Sequence, residues 1–152
     1  MRQLTEDGAC EVPEELKEKI QSLFWAGCCG DDETKQTIGR VWQEHHYLCD
    51  THTAVAWNVA QQYKAANPAH APVVVLSTAS PYKFPAAVLE GLGEKAEGDE
   101  FAVMEQLERL TGIPAPKNLR GLRERPVRHT TVLDREEMLP FVLEKAQEKK
   151  WF

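Results

Sequence analysis

A chain of 152 residues is the size of one domain, and 42% hydrophobic with 28% charged residues is ordinary globular composition, far from the charge-rich signature of disorder. A net charge of -6 and a pI near 5.4 argue against a nucleic-acid partner, which needs a cationic face to displace counterions. No run approaches the roughly 20 apolar residues that span a bilayer, and Met1 to Asp7 holds no apolar export core, so the expected address is cytoplasmic with no membrane partner.

In chain order, Pro13 suits a helix start, and Leu16, Ile20, Leu23 and Phe24 recur at a spacing that predicts one buried face. Gly27 to Gly30 breaks this helix. Asp31 or Asp32 then caps a second one, with Ile38, Val41, Trp42 and His45 as its stripe, and the two are expected to form an antiparallel pair. A third helix starts after Asp50, its natural N-cap, and runs to about Ala66 with enough apolar residues to be buried on most sides.

Asn67-Pro68 ends that helix. Val73-Val74-Val75-Leu76 is a continuous apolar run, the pattern of a parallel-type strand covered on both faces. After the turn at Ser77 to Pro81, Pro85 opens a helix carrying Phe84, Val88, Leu89 and Leu92, stopped by Gly93. Asp99 caps a further helix through Leu110 with Gly112 as terminator, and Leu119 with Leu122 suggests a short turn beyond Pro114 and Pro116. His129 to Leu133 reads as a weaker strand. Asp134 with Glu137 forms a capping-box pattern for a last helix, in which Pro140 demands either a kink or a start near Leu139.

The expected fold class is therefore helix-rich α/β, with one or two parallel-type strands flanked by helices. Three segments are expected: a leading helical pair over 1–49, a helix-strand-helix over 50–93 and C-terminal helices over 94–152. A parallel strand needs neighbours to satisfy its backbone groups, so the inventory looks incomplete and predicts packing against additional polypeptide.

Four cysteines, Cys10, Cys28, Cys29 and Cys49, fit no disulfide framework, two being adjacent. A zinc site from Cys28, Cys29, His45, His46 and Cys49 lacks chelating spacing, so no metal is expected. The basic stretch Lys117 to Arg128 has no interleaved aromatics and reads as a solvated face or a docking surface.

Chemistry concentrates in two segments where a helix or strand meets a turn: Asp50-Thr51-His52-Thr53-Ala54-Val55-Ala56 and Leu76-Ser77-Thr78-Ala79-Ser80-Pro81-Tyr82-Lys83-Phe84-Pro85. The hydroxyls of Ser77 and Thr78 can donate to or accept from a ligand, or merely satisfy local backbone groups. His52 can likewise be only a helix-start residue.

These segments resemble threonine synthase, a fold-type II pyridoxal phosphate enzyme related to the tryptophan synthase β chain. That family carries Asp-Pro-His-Thr/Ser-Ala-Val and, after a helix, Ser-Thr-Ala-His-Pro-x-Lys-Phe. The chain departs at Thr51, where proline is usual, and at Ser80, where histidine is usual.

The resemblance, which covers most of the chain, implies its C-terminal portion. It also implies conversion of O-phospho-L-homoserine and water to L-threonine and phosphate, with pyridoxal phosphate in the complete enzyme. Thr78 would face the pyridine nitrogen as a neutral partner, Ser77 and Ala79 would shape the same floor, and Asp50, His52 and Thr53 would line the site. None of the ten lysines lies in the family's Ser-Phe-Lys-Asp-like context and no glycine-rich loop opens a helix. The chain alone is therefore expected to be inactive and to hold no cofactor, with no catalytic residue of its own.

The expected partner is an N-terminal portion of a threonine synthase, or a second copy through exposed apolar surface. Two alternatives stand beside this: a non-catalytic α/β interaction module on the same scaffold, and a small enzyme of unrelated chemistry using Cys28, Cys29 or His52.

Overall fold

A computed structural model describes residues 2–69 and 71–148; Met1, His70 and residues 149–152 lie outside the described residues. The chain divides into two compact units, residues 1–120 and 121–152.

The first unit opens with α1 (Arg2–Asp7), a helix the sequence reading did not anticipate, and α2 (Glu14–Leu23). Pro13 stands just before α2, and lysine-glutamate pairs at i,i+3 and i,i+4 run along it. The expected buried face is not buried. Leu16, Ile20, Leu23 and Phe24 are exposed, Leu23 by 81%. An amphipathic period marks a face able to be covered, and says nothing of whether a covering element is at hand.

The core forms around α3 (Asp31–His45), α4 (Thr51–Ala66), α5 (Pro85–Gly91) and α6 (Glu100–Thr111). Helix α3 packs on α4 and α5, and α5 on α6, so the expected antiparallel pairing of the first two long helices gives way to α3 against its later neighbours. Ile38, Val41, Ala54, Val88, Leu89, Val103 and Leu107 are buried together. Side chains of this kind contribute roughly 1.5–3 kcal/mol each on full burial. Helix α4 is half-buried around much of its circumference, with only Thr53 and Ala54 fully inside.

Close approach fixes the α3–α5 crossing. A Cβ built on Gly39 would lie 2.4 Å from the Gly91 carbonyl oxygen, and one on Gly91 would lie 2.9 Å from Ile38 Cβ. On the rim, Lys35 and Glu90 pair at 2.7 Å.

The caps follow local chemistry. Asp99 accepts from the Ala102 amide at 2.8 Å, and Gly112 ends α6 in the left-handed region at φ 70°. Gly30, one residue before the expected aspartates, caps α3, its N–H donating to Glu33 at 2.9 Å. The short α7 (Lys117–Arg120) includes Leu119 but stops before Leu122.

Among the described residues there is no strand, so the expected parallel-type strands are not formed, while the helix-rich character is as expected. Residues 73–76 belong to no helix or strand, with Val74 exposed by 81% and Leu76 by 71%. The reason is physical: a strand exists only through a ladder partner, and the described residues supply none. The same holds for the second expected strand, 129–133, where Val132 is 92% exposed.

The second unit holds the 3₁₀ turn Arg135–Glu137 and α8 (Met138–Glu148). The expected capping box is there, with the Asp134 N–H donating to Glu137 at 3.0 Å. Pro140 is the third residue of α8, inside the first turn, where a missing N–H forfeits no helical hydrogen bond.

No helix of the described residues is long and apolar enough to cross a membrane.

Candidate functional site

The two motif segments meet in space. Asp50 caps α4 with its carboxylate fully buried (0% exposed), accepting from the His52 amide at 2.9 Å and the Thr53 amide at 3.3 Å. The Thr53 hydroxyl donates a short hydrogen bond to the other carboxylate oxygen, and His52 Nδ1 lies 3.2 Å from Oδ1. Burial alone would push this carboxyl up, but the donors from Thr53 and His52 outweigh it and hold Asp50 below the usual carboxylate range.

From Thr53 the contacts continue into the second segment. Thr53 Oγ1 lies 3.4 Å from Ser77 Oγ, and the Tyr47 hydroxyl donates to Ser77 Oγ at 3.0 Å. Tyr47, Thr53 and Ser77 line one wall of a cavity of about 270 Å³ whose other walls are apolar, among them Val41, Trp57 and Val75. A second, more open cavity of about 520 Å³ adjoins the start of α4, lined by Cys29, Thr34, Lys35, Thr51, His52 and Val55 among others. His52 also sets its ring against Phe84, centroids 5.6 Å apart, and Lys83 Nζ lies 5.8 Å from the same Phe84 ring.

Of the residues singled out from sequence, Asp50, His52, Thr53 and Ser77 are thus brought together. Thr78 is exposed and Ala79 half-buried, and neither lines the two cavities. The two departures from the family pattern sit where their residue types fit. Thr51 is the first residue of α4, a position proline also favours, and Ser80 accepts from the Tyr82 amide at 3.3 Å as cap of the 3₁₀ turn Pro81–Lys83.

Sequence reasoning missed two tyrosines. Tyr47 gives no signal in its neighbourhood, because its partner Ser77 is 30 residues away. Tyr82, in the variable position of the second motif, is buried and donates to the Ile113 carbonyl, tying that segment to the loop after α6. Burial pushes its phenol up, so it remains a donor.

The five residues weighed as zinc ligands do not gather. Cys49 is buried, Cys29 packs on Thr34, and His45 stacks on Trp57, and no group of three metal-ligating side chains occurs among the described residues.

A helical core that carries two polar motif segments at one helix start agrees with what known proteins show. A solved structure of pyridoxal-phosphate-bound threonine synthase from Brucella melitensis matches 98% of this chain with a TM-score of 0.71 at 27% identity, and the match covers 28% of that protein. The family model for the C-terminal region of threonine synthase matches residues 53–142, so the chain belongs to the threonine synthase family and represents its C-terminal portion. Human threonine synthase-like 2 is 35% identical over 89 residues, and Pseudomonas aeruginosa threonine synthase 32% over 88 residues. The matches span 59% and 57% of this chain but only 18% of each relative, so the chain is similar to a small part of those proteins.

Proposed function

We propose that this chain supplies one wall of a pyridoxal phosphate site whose remaining parts correspond to the regions of its longer relatives that lie outside the match. The observation that carries the reading is the contact of Ser77 with Tyr47 and Thr53, which joins the two motif segments around the buried Asp50.

The residues present fit part of the cofactor. Thr78 offers an exposed hydroxyl suited to the pyridine nitrogen, with Ala79 too small to obstruct the ring. A lysine and a phosphate loop are not among these groups: Lys83 lies outside the family's context, and Gly91 closes α5 where a phosphate loop would open a helix. Pyridoxal phosphate, when bound, supplies an electron sink for carbanion chemistry. This chain's part is to orient the ring through Thr78 and to exclude water from its face. His52, with Nδ1 directed to Asp50, keeps its other nitrogen for a substrate group.

On this reading the complete assembly converts O-phospho-L-homoserine and water to L-threonine and phosphate, and the chain alone is inactive. The test is a pyridoxal phosphate titration of the chain with and without the N-terminal portion of a bacterial threonine synthase, read by cofactor absorbance, borohydride trapping and phosphate release. No specific binding alone, and binding with phosphate release in the mixture, is expected. Silence in both arms counts against the proposal, and a trapped lysine in this chain alone overturns its incomplete-site premise.

A further inference from the structure

The hydrogen bonds around Ser77 carry more than proximity, because a hydroxyl has one proton to give. Thr53 directs its proton to the buried Asp50 carboxylate, an acceptor with none to return. With that proton spent, the 3.4 Å approach of Thr53 to Ser77 is a weak contact, and the hydrogen bond that holds Ser77 is the one the Tyr47 hydroxyl donates to it at 3.0 Å.

Residues 73–79, which belong to no helix or strand, meet the helical core at Ser77 through the hydrogen bond from Tyr47.

We infer that Tyr47 is a positioning residue that fixes Ser77 and, through it, the adjacent Thr78. The assignment of Thr78 to the cofactor rests on the function proposed above; the placement of Ser77 by Tyr47 does not.

The experiment uses four single variants of the full chain: Tyr47→Phe, Thr53→Val, Thr53→Ser and Thr78→Val. Each is compared with the parent by ¹⁵N relaxation at Ser77, Thr78 and Ala79, with α3 and α6 as internal controls. Order parameters at the three residues should fall from about 0.85 toward about 0.6 in Tyr47→Phe. A smaller fall is expected in Thr53→Val, with rescue in Thr53→Ser and no change in Thr78→Val. Unchanged order in Tyr47→Phe overturns the inference. So does equal loss in Thr53→Ser and Thr53→Val, which would make packing and not the hydroxyl responsible.

In the mixture with the N-terminal portion, Tyr47→Phe should weaken pyridoxal phosphate binding by roughly three- to tenfold, the worth of one hydrogen bond. If the parent mixture binds no cofactor, the proposed function fails while the relaxation result still decides the role of Tyr47. If the parent binds and the variant binds equally, the positioning role fails while the proposed function stands.

Discussion

At the scale of single residues, Asp50 joins several interactions in one side chain. It combines an N-cap with a fully buried carboxylate that accepts from Thr53 and His52. Replacing it with alanine removes the cap and strands the Thr53 hydroxyl, an expected loss of about 2–3 kcal/mol in urea unfolding. Because its folded pKa lies below its unfolded one, the unfolded state binds the extra proton on acidification. The stabilisation is complete above the unfolded value of about 4 and disappears as pH falls through the folded one. The advantage of the parent over Asp50→Asn should therefore shrink below about pH 4, and a difference that grows with acid would refute the assignment.

The adjacent Cys49 makes the opposite use of burial. Its thiol is pushed up to about 11 and stays protonated at neutral pH. Thiol titration of the native chain should label the exposed Cys10 and Cys28 first, and Cys49 only with unfolding.

At the scale of elements, the α3–α5 crossing depends on Gly39 facing the backbone of Gly91. A Cβ 2.4 Å from a carbonyl oxygen cannot be relieved by a side-chain rotation, so Gly39→Ala should destabilise by about 1–3 kcal/mol despite alanine's better helix propensity. Equal or greater stability by thermal melt would mean that the two helices separate freely.

This is also the scale at which the sequence was most legible. Asp50, Asp99 with Gly112, Asp134 with Glu137, Pro85 and Pro140 all act within a turn of where they stand, so their effects can be read from neighbours alone. The faces of α2 and the state of residues 73–76 depend on partners distant in sequence or absent from it, and local pattern carries no such information. The site divides the same way. Its motif residues were visible as motifs, while Tyr47 became visible only when the fold brought it to Ser77.

At the scale of the whole molecule, the apolar surface asks what the fold leaves undone. Val73, Val74 and Leu76 form an exposed apolar segment whose backbone has no ladder partner among the described residues, and the face of α2 adds Leu16, Ile20 and Leu23. In the second unit Leu139, Val142 and Leu143 are exposed along α8. Exposed apolar surface marks association, and backbone without a ladder partner is open to strand pairing. The chain alone should bind an apolar dye and sediment with a concentration-dependent mass. If residues 73–76 are the main contact, Val74→Lys with Leu76→Lys should lower both signals while leaving helical circular dichroism unchanged, since neither side chain belongs to the buried core. A parent chain that stays monomeric at high concentration and binds no dye would show that this surface is tolerated in water, and would remove the physical need for a covering partner.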